Sequence, residues 1–119
     1  MATHKELDVW KKAIDLSDMI YTITDTFPKS EQYALSPQLR RAVVSIASNI
    51  AEGAARNNTK EFIQYIGIAR GSLAEVETQL IIAGRRKFVA ELYLEKAFSM
   101  IEDISKMMYR LQQALKKKL

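Results

Sequence analysis

Residues 59–84 read TKEFIQYIGIARGSLAEVETQLIIAG. Within them Phe62, Ile66, Ala69, Leu73, Val76, Leu80 and Ala83 recur in steps of four and three without a break. Each residue of an α-helix advances about 100° around the axis, so this spacing holds all seven on one narrow stripe. Such a stripe suits the seam of a helix bundle; a half-buried strand would alternate every second residue. Thr59, after Asn57 and Asn58, reads as the N-terminal cap, and Gly84 as the C-terminal stop.

Working outward, three more segments share the pattern. The first carries Val9, Ala13, Leu16, Ile20, Ile23 and Phe27, and Pro28 ends it. The second opens on Ser36 as a cap with Pro37 at the first helical position. Its seam is Leu39, Val43, Ile46 and Ile50, fading near Gly53. The fourth runs through Leu94, Ala97, Ile101, Ile104, Met108, Leu111 and Leu115. Except for Phe27 to Ser36, the connections are short, and short connections make successive helices antiparallel neighbours. The expectation is an all-α, antiparallel up-and-down four-helix bundle, one domain over 1–119.

Composition agrees. A chain of 119 residues can bury a core without staples, and 48% hydrophobic with 27% charged residues is ordinary globular usage. Only 4 Gly and 2 Pro are present, too few for the turns of a sandwich or barrel. The absence of Cys excludes disulfides, thiolate nucleophiles and Cys-ligated zinc. The start, Met-Ala-Thr-His-Lys-Glu, lacks the apolar stretch of a signal peptide, and no membrane span is expected. The expected compartment is the cytoplasm.

Helices 2 and 3 carry a second set of small or apolar residues. Val44, Ala51 and Ala55 point roughly opposite the seam of helix 2; Gly67, Gly71, Ala74 and Thr78 lie away from that of helix 3. Glycine inside a helix costs about 1 kcal/mol relative to alanine, so two in adjacent turns call for a reason. They are either tolerated on an exposed face or form a groove for another helix backbone. The second alternative makes these seven residues an oligomer interface between copies of the chain.

A search for chemistry finds little. The one histidine, His4, precedes the first helix, which leaves no Glu-x-x-His pair, serine triad or zinc motif. Glu75 and Glu77, two residues apart on a helix, diverge. Gly67-x-x-x-Gly71 lacks the Gly-Lys-Ser/Thr ending of a phosphate loop. Neither an enzyme nor a cofactor is expected.

A polar stripe of Gln38, Ser45, Asn49, Glu52 and Arg56 flanks helix 2. It reads as a network fixing register, with ligand binding as the alternative.

The formal net charge of +4 is uneven: residues 36–60 hold four bases against Glu52 alone. Groups suited to nucleic acid are Arg40, Arg41, Arg56, Arg70, the Arg85-Arg86-Lys87 turn and the Lys116-Lys117-Lys118 tail. Tyr33, Tyr65 and Tyr93 are the aromatics least committed to a core spacing. Such binding would rest on phosphate contacts and be salt-sensitive, and an oligomer would multiply it.

Leu7-Asp-Val-Trp10-Lys-Lys-Ala13, Phe27-Pro28-Lys-Ser-Glu31, Gln38-Leu-Arg-Arg-Ala42, Ser45-Ile-Ala-Ser-Asn-Ile-Ala-Glu-Gly53 and Ala69-Arg-Gly-Ser-Leu-Ala-Glu75 carry a resemblance over nearly the whole chain. It is to the four-helix-bundle proteins of intervening sequences in bacterial 23S ribosomal RNA genes, often labelled S23 ribosomal proteins. The family is related to the accessory variability protein of diversity-generating retroelements. The resemblance implies a homopentameric barrel, no catalytic residues and, for the retroelement relatives, binding of nucleic acid and a reverse transcriptase. The resulting expectation is a non-enzymatic oligomeric scaffold or adaptor for RNA or an RNA-handling protein. The alternative is a protein–protein interaction module with no nucleic-acid role.

Overall fold

Each periodic segment forms one helix. The structure, a computed structural model, describes residues 3–119; Met1 and Ala2, part of the N-terminal reading above, lie outside them. The helices are α1 (Asp8–Asp25), α2 (Leu35–Ala55), α3 (Thr59–Arg85) and α4 (Glu91–Lys116). Short 3-10 turns cover His4–Glu6 and Lys29–Glu31. Each helix packs on its chain neighbours, and α1 closes the ring against α4. The result is an up-and-down bundle of 46 × 23 × 20 Å.

The seams form one core through all four helices. Leu16, Ile20, Leu39, Ile46, Ile50, Ile66, Leu80, Ile104 and Met108 are completely buried. Burial of each such side chain contributes about 1.5–3 kcal/mol, which is why the heptad stripes decide the architecture. Phe27 lies beyond α1, half-buried, and stacks on Phe88 with ring centroids 5.7 Å apart. That pair ties the α1–α2 connection to the α3–α4 turn, so both share one end of the bundle, called here the upper end.

The register of α2 on α3 is written in polar pairs. Gln38 meets Gln79, Ser45 meets Ser72 and Glu52 meets Tyr65. The pairs ascend by seven along α2 and descend by seven along α3, as antiparallel helices require. Ser45 and Ser72 share a hydrogen bond of 2.9 Å, and the Asn49 amide donates to the Ser45 hydroxyl at 2.9 Å. The polar flank of helix 2 therefore serves register. Gly53 lies at the foot of this seam, where a Cβ would sit 2.7 Å from Cβ of Tyr65. Only a residue without a side chain lets the two backbones come so close.

Four helix ends differ from expectation, the first being that of α1, which stops at Asp25, two residues short of Phe27. Helix α2 starts at Leu35 after Ala34, which makes no side-chain cap, so Ser36 is not the cap. The turn through Lys29–Glu31 leads almost directly into the helix, and Ala34 N–H donates to the Glu31 carbonyl at 3.1 Å. Pro37 still falls in the first turn, where a missing N–H costs no helical hydrogen bond. The cap of α3 is Asn58 and not Thr59: its side chain accepts from Glu61 N–H at 2.9 Å. Helix α3 also runs one residue past Gly84.

Its left-handed terminating residue is Lys87, at φ 61°. Phe88 N–H donates to the Ala83 carbonyl at 2.9 Å and Lys87 N–H to the Gly84 carbonyl at 3.0 Å, a Schellman turn built on lysine. Gly84 instead provides room for α4, since a Cβ there would lie 2.7 Å from Cδ1 of Leu94.

Candidate nucleic-acid and assembly surfaces

Three of the arginines suited to nucleic acid are committed within the bundle. Arg40 on α2 donates to the Thr24 hydroxyl and the Asp25 carboxylate of α1, both at 2.8 Å, and lies over the Tyr21 ring at 4.7 Å. Arg56 donates to the Tyr65 hydroxyl at 2.7 Å and to Glu52 at 3.3 Å. Tyr65 first, then Glu52, raise its pKa above the ordinary guanidinium value. Arg70 on α3 donates to the side-chain Oε1 of Gln112 on α4 at 2.7 Å and lies over Tyr109 at 6.0 Å. Gln112, buried, passes the link on by donating to the Ile63 carbonyl at 3.2 Å. Each arginine thus joins neighbouring helices and rests on a tyrosine, a geometry its planar, weakly hydrated guanidinium favours.

The remaining cations are exposed and split between the two ends. Arg85, Arg86 and Lys87 occupy the upper end, with Arg41 in the upper part of α2. Lys116, Lys117 and Lys118 occupy the lower end, with the Arg56–Asn58 turn. The ten expected residues therefore make two separate patches at most. Of the uncommitted aromatics, Tyr65 is taken by Arg56, whereas Tyr33 is 89% and Tyr93 43% exposed, both at the upper end.

The seven expected interface residues also divide. Gln38, Ser45 and Glu52 face α3, and rotation by about 100° per residue turns Val44, Ala51 and Ala55 toward the α1 side of α2. Gly67, Gly71 and Ala74 line a groove on the opposite flank, between α3 and α4, with Phe98 and Ile101. A Cβ on Gly71 would meet nothing within 4 Å, so nothing in the bundle requires a glycine there. Thr78 is exposed, and its hydroxyl donates to the Ala74 carbonyl at 2.8 Å. Between the two stripes, α3 exposes Ile68 at 52% and Ile82 at 46%. Sequence reading missed these isoleucines, although each lies well off the seam stripe.

A cleft of about 810 Å³ opens at the upper end between the last turns of α1 and the α3–α4 turn. Ile23, Val89 and Leu94 give it an apolar wall, while Lys87, Glu91 and Tyr93 also line it. Sequence offered no signal for it, because it joins segments some 60 residues apart in the chain.

His4 stacks edge-on against Trp10, with centroids 5.1 Å apart. Glu75 lies 3.4 Å from the Gln79 amide, toward α2, while Glu77 lines the α3–α4 groove, so the two carboxylates do diverge. Among the described residues no three metal-ligating side chains of His, Asp or Glu come together. Nor is any described helix long and apolar enough to cross a membrane.

The chain matches no curated protein by sequence. It is similar in structure to a protein of unknown function from the S23 ribosomal protein family of Bacteroides thetaiotaomicron, with a TM-score of 0.82 at 21% identity. That alignment covers 88% of this chain and 95% of the other, and at this identity it speaks for the fold. The family model of the 23S rRNA-intervening sequence protein matches residues 5–110. Spanning all four helices as it does, that match places the chain in the 23S rRNA-intervening sequence protein family.

Proposed function

We propose that the protein is a non-enzymatic, self-assembling adaptor that holds RNA, or a protein that handles RNA, on a basic surface. The observation that carries this reading is the Arg85-Arg86-Lys87 turn: three consecutive exposed cations, none in an ion pair among the described residues. Unpaired guanidinium and ammonium groups in a row attract a phosphate backbone, and binding of this kind releases counterions. Assembly is part of the same proposal. A copy docked along the glycine groove or the exposed isoleucines would repeat the basic turn, and repetition raises avidity without any new contact.

The test is a titration of purified protein with a structured RNA at about 50 and 200 mM salt. Tight binding at low salt that weakens steeply at the higher salt, and that Arg85→Glu with Arg86→Glu abolishes, supports the reading. No binding at low salt removes it. Light scattering tests the assembly: Gly71→Leu should lower the measured mass, and an unchanged oligomer excludes the groove as its contact.

A second reading is a protein–protein interaction module with no nucleic-acid role. It is favoured by Arg40, Arg56 and Arg70, whose cationic groups already have partners on neighbouring helices at the bundle surface, and by the exposed Ile68 and Ile82.

A further inference from the structure

The cleft at the upper end has a chemistry of its own. At about 810 Å³ it falls within the range of small-molecule sites, roughly 300–1,000 Å³. Its wall of Ile23, Val89 and Leu94 suits a flat apolar face, and the half-exposed Tyr93 ring stands beside it.

The polar groups around the cleft are selective. Thr22 and Thr26 line it, and their hydroxyls already donate to the Asp18 and Ile23 carbonyls, at 3.1 and 2.7 Å. Toward a ligand both oxygens act as acceptors, and the Glu91 carboxylate adds a third. The one cation lining the cleft is Lys87, held in the left-handed conformation and directly preceded by Arg85 and Arg86. A ligand that satisfies all of these has a planar apolar face, N–H donors on its edge and a negative group a short distance away.

We infer that this cleft receives an unpaired nucleobase of an RNA strand whose phosphates lie along Arg85, Arg86 and Lys87. The inference rests on the RNA reading above and narrows it to single-stranded segments. Bases in a duplex are stacked and cannot enter, whereas those of loops and ends can be turned out onto an aromatic ring. Because Glu91 and the threonines accept hydrogen bonds, bases bearing an exocyclic amino group, such as adenine and cytosine, fit better than uracil.

The experiment compares 12-nucleotide oligo(A), oligo(C) and oligo(U), an RNA duplex of equal length, and AMP alone, at one low salt concentration. The proteins are the wild type, Thr22→Trp, which fills the cleft from an exposed position, and Tyr93→Ala; circular dichroism confirms that each variant is folded. The wild type should bind oligo(A) and oligo(C) more tightly than oligo(U) or duplex. Thr22→Trp and Tyr93→Ala should each weaken single-strand binding about fivefold or more, in line with the loss of one stacked base, and leave duplex binding unchanged. Equal binding of all polymers, insensitive to both variants, overturns the cleft assignment and leaves the RNA reading standing. AMP binding as tight as that of the 12-mer overturns RNA as the occupant. Absence of any RNA binding by the wild type removes the reading and the inference together.

Discussion

Ser45 of α2 and Ser72 of α3 share a hydrogen bond of 2.9 Å, and the Asn49 amide donates to the same Ser45 hydroxyl. Ser45 is thus the shared member of a three-residue network. Ser72→Ala removes one bond and should cost about 1 kcal/mol. Ser45→Ala strips a partner from both neighbours and should cost about 1–3 kcal/mol. Urea denaturation of the two variants and the double mutant measures the coupling; additive losses would show that the pair does not interact.

Gly53 and Gly71 should respond in opposite ways to the same substitution. A Cβ on Gly53 meets Cβ of Tyr65 at 2.7 Å, an atom fixed to the α3 backbone, so Gly53→Ala must push α2 and α3 apart. Overpacking of this kind costs about 1–3 kcal/mol. Gly71 has open space around it, and Gly71→Ala should stabilise the bundle by up to about 1 kcal/mol through helix propensity alone. Thermal melts followed by circular dichroism distinguish the two, and equal effects would contradict the geometry.

Lys87 occupies a conformation that L-residues enter at a cost of roughly 1–2 kcal/mol. Lys87→Gly should therefore stabilise the protein by about 1 kcal/mol, because glycine is the usual residue of a Schellman turn. At the start of the same helix, Asn58→Ala should destabilise by about 1 kcal/mol through the lost cap. A drop in melting temperature for Lys87→Gly would show that the lysine contributes more than its backbone conformation costs.

Gln79 is 7% exposed, and its Oε1 is buried without a hydrogen-bond partner, while its amide reaches Gln38 and Glu75 only at 3.4 Å. A half-satisfied buried amide is expensive, so Gln79→Met, of similar shape, should be neutral or stabilising. Denaturant midpoints check this; a loss above about 1 kcal/mol would mean that the amide is better satisfied in solution than its geometry indicates.

The seam residues were legible because burial obeys helical periodicity, and periodicity is a property of the chain alone. The helix ends were less so. Asn58 and Thr59 are both acceptable caps, and only the extended backbone of Asn58, at φ −158° and ψ 116°, decides between them. The fate of the arginines was not legible at all. Whether Arg70 stands free or reaches Gln112, 42 residues away, depends on how α4 lies along α3. The two stripes of small residues were found, yet their divergence depended on which flank of α2 and of α3 meets the other. That the tyrosines beneath Arg40, Arg56 and Arg70 are paired rather than free follows from the same packing.

The polar pairs between α2 and α3 repeat at a constant interval, and a constant interval carries an ambiguity. Shifting one helix along the other by two turns would set Ser45 against Gln79 and Glu52 against Ser72, again polar group to polar group. The ladder thus blocks slides of less than two turns and leaves open only the choice between registers two turns apart, like the teeth of a rack. What stops the slide is the tight Arg56-Asn57-Asn58 link together with the bare Gly53 against Tyr65. Lengthening that link would therefore admit a second way for the same two helices to mesh, before any loss of helix content.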